Sequence, residues 1–379
     1  MARFGLLVTV TLLWPAYAHA YPQWQLSAGA VRCNQCHFAP AGGGLLSGQG
    51  RRVVGDDLST FSGDGALLHG GMKLPGWLGL GADLRGTYLA QDPQAPGGTP
   101  PVALPMEAEV EGLLRSGSVS LYSTLGARGQ LGTDSSPVPL QNYQPLPTSW
   151  LVSREHWLMW QPGSQGLYLR AGRFFAPFGL RLAQYFTYLR RDLGFNELEE
   201  SYNLSGGYLS DLWETHVTGF IPDLVRHLGS EETGAAAYLE RRVLDGRAAL
   251  AVQAKYASRA GASRAIGGAV GKGYLASIRT LLFTEIDMIL LSVDGLPGRG
   301  QAIGALGASV LPVRGLILTA LGEHYQEDIE VRGAARSATS LFVDWSPYAH
   351  VELRVMARVE IPAGGDTTKL LLAQLHYFL

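Results

Sequence analysis

The sequence predicts an all-β chain: a transmembrane antiparallel β-barrel of about 16 strands, with about 14 as the next even number, preceded by a small irregular and helical module. Three observations lead there. Charged residues make up only 16% of the chain and the formal net charge is -2, against about 25% charged residues in ordinary domains. Beyond the N-terminal segment, no stretch approaches the ~18 consecutive apolar residues that a spanning helix needs. Apolar residues instead recur at every second position over many short segments, as they do in strands with one lipid-facing side. A soluble sandwich or propeller also alternates, but it does not combine alternation with an export segment, low charge and a strand at the C-terminal end. With no basic excess, nucleic acid is not an expected partner.

The first residues, MARFGLLVTVTLLWPAYAHA, carry Arg3, an apolar run from Phe4 to Trp14, a break at Pro15 and the small-residue end Ala18-His19-Ala20. This is the pattern of a secretory signal peptide cleaved after Ala20, and its apolar run is too short to span a bilayer. The expected organisation is a signal peptide at 1–20, a module at 21–74 and the barrel at 75–379.

The module contains the pentapeptide CNQCH, Cys33 to His37, which holds the only two cysteines of the chain. Three chemistries compete for it. A zinc site needs four protein ligands, and no other cysteine is present to complete it. A redox pair of the thioredoxin kind sits at a helix start in a βαβ pattern, and nothing around residues 25–50 reads that way. Covalent haem attachment needs two thiols for the vinyl groups and a histidine that reaches the iron, and C-x-x-C-H supplies all three. Cys33 and Cys36 are then the thioether anchors and His37 the proximal ligand of one haem c. For the opposite face the candidates are Met72 and His69, in ALLHGGMKLPGW, with Met72 preferred. The Gly-rich remainder, with one short helix expected between Gly44 and Val54, is too small to bury much core by itself.

From Leu78 the rhythm becomes period two. In LGLGADLRGTYL, Leu78, Leu80, Ala82, Leu84 and Tyr88 form one face, and Asp83, Arg85 and Thr87 the other. In VALPMEAEVEGLLR, Val102, Leu104, Met106, Ala108, Val110 and Leu114 alternate with Glu107, Glu109 and Glu111. Segments 118–127, 166–174 and 247–257 repeat the pattern, the last with Gln253 and Lys255 opposite Leu250, Val252 and Tyr256. Further strands are expected near 150–160, 203–209, 212–221, 234–243, 270–282, 284–294, 302–311, 315–326, 337–346 and 349–360. The chain ends in KLLLAQLHYFL, where Leu371, Ala373, Leu375 and Tyr377 fall on alternate positions of a closing strand.

Glu107, Glu109 and Glu111 should point into the lumen, balanced by arginines such as Arg85, Arg128 or Arg170. In AGRFFAPFGLRLAQYFTYLRRDLGF, Pro177 and Gly179 break the alternation, so an in-folded loop with Arg181, Arg190 and Arg191 facing the lumen is expected. His156, His216, His227, His324, His350 and His376 lack metal-ligand spacing and read as solvated or interfacial residues. No nucleophile elbow, Walker loop, H-E-x-x-H or dinucleotide fingerprint is present, which argues against a hydrolytic or nucleotide-dependent enzyme.

Signal peptide, single CNQCH, short Gly-rich module and barrel, in that order, resemble the fused monohaem cytochrome–porin proteins of bacterial outer membranes. GRFFAPFGLRL also resembles a segment of related porin-like proteins. The resemblance implies an electron-transfer protein of the outer membrane, possessing one covalent haem c on Cys33, Cys36 and His37. It further implies a periplasmic carrier cytochrome as partner and, in one branch, extracellular ferrous iron as donor, which would make the chain an iron oxidase. The competing expectation is a passive diffusion porin whose cysteine pair is a disulfide or part of a structural plug. In either case a module tethered so close to the first strand should sit in the lumen or close one mouth.

Overall fold

The computed structural model of the chain describes Leu26 and residues 30–61, 74–92, 101–128, 151–196, 199–224, 230–362, 364 and 366–379. The expected signal peptide, His69, Met72 and His227 lie outside the described residues. Among those described, sixteen antiparallel strands close into one barrel. They are β1 (Leu78–Gln91), β2 (Val102–Ser116), β3 (Val119–Arg128), β4 (Leu151–Val152, resuming at His156–Trp160), β5 (Gly166–Phe174), β6 (Ser201–Leu209), β7 (Trp213–Ile221) and β8 (Thr233–Val243). The second half comprises β9 (Ala248–Arg259), β10 (Ala262–Leu275), β11 (Thr280–Val293), β12 (Arg299–Val313), β13 (Leu316–Gln326), β14 (Ala335–Trp345), β15 (Val351–Ile361) and β16 (Thr368–Phe378). Each strand pairs with its neighbours in sequence, and β1 also pairs with β16 to close the ring. Closure leaves no open sheet edge, the condition for β-structure in hydrocarbon. No helix among the described residues is long and apolar enough to cross a membrane.

Side-chain parity follows the sequence pattern over most of the wall. On β9, Leu250, Val252 and Tyr256 face outward while Gln253 and Lys255 are buried inside. On β16, Leu371 and Leu375 face outward, and Leu372, Gln374 and His376 inward. Glu107, Glu109 and Glu111 all point into the lumen.

Two local expectations are corrected. Met106 does not belong to the outward row, because the β1–β2 register shifts between Arg85 and Gly86 and makes it the extra residue of a bulge; before the bulge parity inverts, with Ala103 and Pro105 exposed and Val102 opposite the buried Leu89. Pro105 has no N–H to give to the ladder, so the bulge falls beside it. The Met106 sulfur accepts a hydrogen bond from Thr87 Oγ1 at 3.3 Å, on the inner face. The segment expected as one strand over 270–282 is split: β10 starts at Ala262, and a 3-10 turn at Ala276–Ile278 separates it from β11. Gly267, Gly268, Gly271 and Gly273 leave the alternation unwritten there, since glycine presents no side chain to either face.

The two ends of the barrel differ. At the end where β1 begins, the connections are tight: 117–118, 161–165, 210–212, 244–247, 276–279, 314–315 and 346–350. In bacterial barrels the short turns are periplasmic. The N-terminal segment enters the lumen at this end. Arg32 pairs with Asp211, Asn34 Nδ2 donates to Ser164 O at 2.8 Å, and Thr60 N donates to Ser346 O at 2.8 Å. The Arg314 side chain reaches Gly55 O at 3.2 Å. Further in, Phe38, Ala39 and Leu45 pack on the inward side chains Leu113, Tyr122 and Trp157.

From the opposite mouth, the β5–β6 connection folds into the barrel and includes a short helix, α2 (Tyr188–Leu193). Its Phe178, Leu180, Leu182, Tyr188, Leu189 and Leu193 form one cluster with inward residues of the far wall, among them Ile266, Phe283, Ile303 and Phe342. A fully buried side chain of this size contributes roughly 1.5–3 kcal/mol. Apolar burial therefore holds the loop inside, and the interior resembles a packed core more than a water-filled channel.

Candidate functional site

The pentapeptide at the centre of the plug has a local fold of its own. Cys33–Gln35 form a 3-10 turn in which Cys36 N and His37 N both donate to Cys33 O, at 3.2 and 3.1 Å. Gln35 Oε1 accepts from Val31 N at 2.9 Å and Arg32 N at 3.0 Å, which locks the chain entering the turn. His37 then bridges to Leu46 across a loop containing Gly42, Gly43 and Gly44, all at positive φ. Ser47 caps the helix that follows, α1 (Gly48–Val53), by accepting from Gly50 N at 3.1 Å. Its hydroxyl donates to Gln35 O at 2.8 Å, tying helix to turn. Gly50 lies directly on Cys36: a Cβ there would stand 2.3 Å from Cys36 O, so only glycine fits.

Cys36 and His37, but not Cys33, line a partly open cavity of about 300 Å³ between the plug and the in-folded loop, within the ~300–1,000 Å³ range of ligand pockets. One part of its wall is apolar, with Leu46, Val53, Val54, Phe178, Leu180 and Leu189. The other part is charged, with Arg85, Arg154, Arg170, Arg181 and Arg190 set among Asp83, Glu111, Glu155, Glu285 and Glu352. His37 Nδ1 donates to Gly44 O at 3.1 Å, which fixes the ring and leaves Nε2 as the bare nitrogen of the neutral imidazole. Burial pushes its pKa down to about 4, against smaller opposing contributions from the Gly44 and Gly43 carbonyls, so the ring is neutral at pH 7. Such an imidazole, held by a hydrogen bond on its far nitrogen, is a prepared metal ligand.

Both thiols are free and buried. Burial, aided by the Glu214 charge, pushes Cys33 up to about 11, and burial followed by the Cys33 charge pushes Cys36 up to about 12. A dithiol redox pair works through a depressed thiolate, so these surroundings suit that chemistry poorly. Among the described residues, no group of three or more His, Cys, Asp and Glu could hold a metal ion, so the zinc alternative finds no ligand set.

The glutamates and arginines singled out in the sequence meet in part. Glu107 pairs with Arg154 at 3.2 Å and Arg85 at 3.6 Å, and Glu109 with Arg154 at 3.3 Å. Arg154, in the interruption of β4, was not anticipated; a charged residue inside an expected strand was the available signal. Arg170 pairs with none of them and lies over the Phe174 ring at 3.6 Å. The in-folded loop does carry its arginines into the lumen. Arg181 reaches Glu214 at 2.7 Å and the plug's Ala41 O at 3.0 Å, while Arg191 reaches Glu360 at 3.4 Å. Arg181 thus ties wall, loop and plug at one point.

Three histidines depart from the solvated or interfacial expectation. His216, His350 and His376 are buried. His216 Nε2 lies 2.9 Å from Glu214, and His376 Nε2 lies 3.2 Å from Asp83. His216 and His376 each sit on an inward position of a strand beside an acid, where parity alone puts them, while His350 lies in the 346–350 turn against the Phe378 ring.

No protein-family model matches the sequence, nor does any curated protein. Among solved structures the chain is similar to outer-membrane expressed OmpT of Vibrio cholerae, with TM-score 0.59 and 12% identity over 80% of this chain and 97% of that one. It is also similar to OprB of Pseudomonas putida (TM-score 0.57, 11% identity, 86% and 99% covered). A third neighbour is the outer membrane channel DcaP of Acinetobacter baumannii (TM-score 0.54, 9% identity, 80% and 97% covered). At such identities the likeness speaks for the fold: this chain is a closed sixteen-stranded barrel of the bacterial outer-membrane type, with its apolar outer belt in the lipid.

Proposed function

We propose that the chain is an outer-membrane electron-transfer barrel with one c-type haem, attached through Cys33 and Cys36 and ligated by His37. The observation that carries this reading is the position of the motif: Cys36 and the neutral, oriented His37 line a cavity that is apolar on one side and sets arginines among carboxylates on the other, with Cys33 buried off its wall. Those surroundings fit the group. A macrocycle asks for apolar walls, its carboxylates ask for cations, and the axial imidazole asks for a hydrogen bond on Nδ1. When bound, the haem supplies a one-electron couple at its iron. The chain's own residues would surround that centre: α1 covers Cys36, the in-folded loop lines the cavity from the other mouth, and the Gly44 carbonyl holds the imidazole in place.

The haem module occupies the short-turn mouth, which is the periplasmic one in bacterial barrels. One haem does not span a hydrocarbon core of ~30 Å unaided. A periplasmic carrier cytochrome is therefore the partner in this reading, and extracellular ferrous iron is the electron donor to assay first. Met72 or His69, both outside the described residues, would be the second residue to hold the iron.

The test is a haem-stained gel and a pyridine haemochrome spectrum on protein exported by a host with cytochrome c maturation, beside a Cys36→Ala variant. One covalent haem per chain, lost in the variant, is expected. A folded wild-type barrel without covalent haem would sink the reading and leave a channel closed by its own N-terminal segment.

A further inference from the structure

The five arginines on the cavity wall are not equivalent. Arg85 is neutralised by Asp83 and Glu107, Arg154 by Glu107, Glu109 and Glu200, and Arg181 by Glu214. Arg170 and Arg190 have no carboxylate within ion-pair distance among the described residues.

Arg170, on β5, is 3% exposed. Among the described residues its guanidinium has no hydrogen-bond partner, and its Nε is buried. What it does have is aromatic: the Phe174 ring at 3.6 Å and the Trp157 ring at 5.7 Å. Glu155, also on the cavity wall, is an acid whose charge it feels, from beyond ion-pair range. Arg190, on α2, donates from Nε to Phe195 O at 3.1 Å and from Nη1 to Leu182 O at 3.0 Å, and lies over the Tyr185 ring at 4.6 Å. Backbone carbonyls and rings orient both guanidiniums without cancelling their charge. A buried guanidinium with no carboxylate in contact, only the more distant Glu155 for Arg170 and Glu200 for Arg190, is costly to keep, so two of them on one cavity wall suit a ligand with two anionic groups.

We infer that Arg170 and Arg190 are the anion-binding pair of this cavity and take the two propionate carboxylates of the haem. The inference rests on the haem reading above and adds to it the two residues that hold the non-covalent end of the group. They are positioning residues: thioether attachment does not need them, whereas the charge around the iron depends on them.

The experiment uses the membrane-extracted holoprotein. Arg170→Gln and Arg190→Gln each retain covalent haem at wild-type stoichiometry and lower the midpoint potential, because losing a nearby positive charge favours the ferric state. A tenfold shift of the redox equilibrium per arginine, about 59 mV for one electron, is expected, with the shifts adding in the double variant. Arg170→Lys and Arg190→Lys restore most of it. Resonance Raman on the wild type provides a reading that needs no variant, since the propionate bending band reports hydrogen bonding to those carboxylates. Retained haem with an unmoved potential, or a wild-type band at the position of unbonded propionates, would overturn the inference. Wild-type protein without haem would instead remove the reading beneath it, and the first gel shows which of the two has failed.

Discussion

The barrel wall and the plug inside it come from one chain, but a residue finds its place in them by different rules. In the wall, parity decides: Leu250, Val252 and Tyr256 look out, and Gln253 and Lys255 look in, because they alternate on β9. In the plug, single partners decide. Gln35 holds two backbone amides, Ser47 caps α1 and returns to Gln35, and Gly50 lies against Cys36 because nothing larger fits. A repeating rule spreads the work over many equivalent positions, whereas the plug concentrates it in a few. The wall should therefore absorb changes that keep parity, and the plug should fail at individual residues.

The junction between the two is where the largest effect is expected. Glu214 on β7 pairs with Arg181 of the in-folded loop at 2.7 Å and with Arg242 of β8 at 2.9 Å, and is fully buried. Glu214→Gln leaves both guanidiniums without their shared acid, at a cost of about 3–5 kcal/mol. Urea unfolding in phospholipid vesicles measures the loss, and wild-type stability in the variant would mean that the loop is held by its apolar cluster alone. Next comes the wall itself. Ile286, near the middle of β11, faces outward and is 61% exposed. Ile286→Arg puts a charge into hydrocarbon at about 2–4 kcal/mol and slows barrel assembly, seen as a smaller heat-modifiable fraction on gels. An unaffected variant would place that face out of the lipid.

The smallest expected effect is confined to the plug. Gly50→Ala forces α1 off Cys36, an overpacking cost of about 1–3 kcal/mol, while the barrel keeps its heat-modifiable mobility. The readout is the covalent haem yield per folded barrel, which falls. A yield equal to wild type would show that α1 need not touch the motif for attachment.

How much of this was legible in the sequence follows the same division. The strands, the inward glutamates, the closing strand and the CNQCH motif could all be read from periodicity or spacing. Where the rule lapses, so did the reading. Pro105 forced a bulge that turned Met106 inward, and the glycines of β10 hid its first half. The rows TLLFTEIDMILLSV and LFVDW are apolar on both faces, which a polar-lumen rule does not anticipate. Phe283, Ile289 and Phe342 face inward because the in-folded loop covers them, a contact between segments far apart in the chain. Arg154 and the buried His376 were missed for a related reason, since their partners lie on strands far away in the sequence, whereas His216 and its partner Glu214 sit two residues apart on one strand and parity could have found them.

The plug is fastened to the tight turns at 161–165, 210–212, 314–315 and 346–350, all at one end of the barrel. From the other end the in-folded loop also reaches it, through Arg181 and Ala41 O, whereas among the described residues 260–261, 294–298 and 327–334 make no hydrogen bond to it. The molecule therefore has one end that must be inherited as a unit and another where, apart from the in-folded loop, the short connections are free to diverge. Epitopes, tags or binding loops grafted at 327–334 leave the fastened end untouched, and that end is where natural variation should be least tolerated.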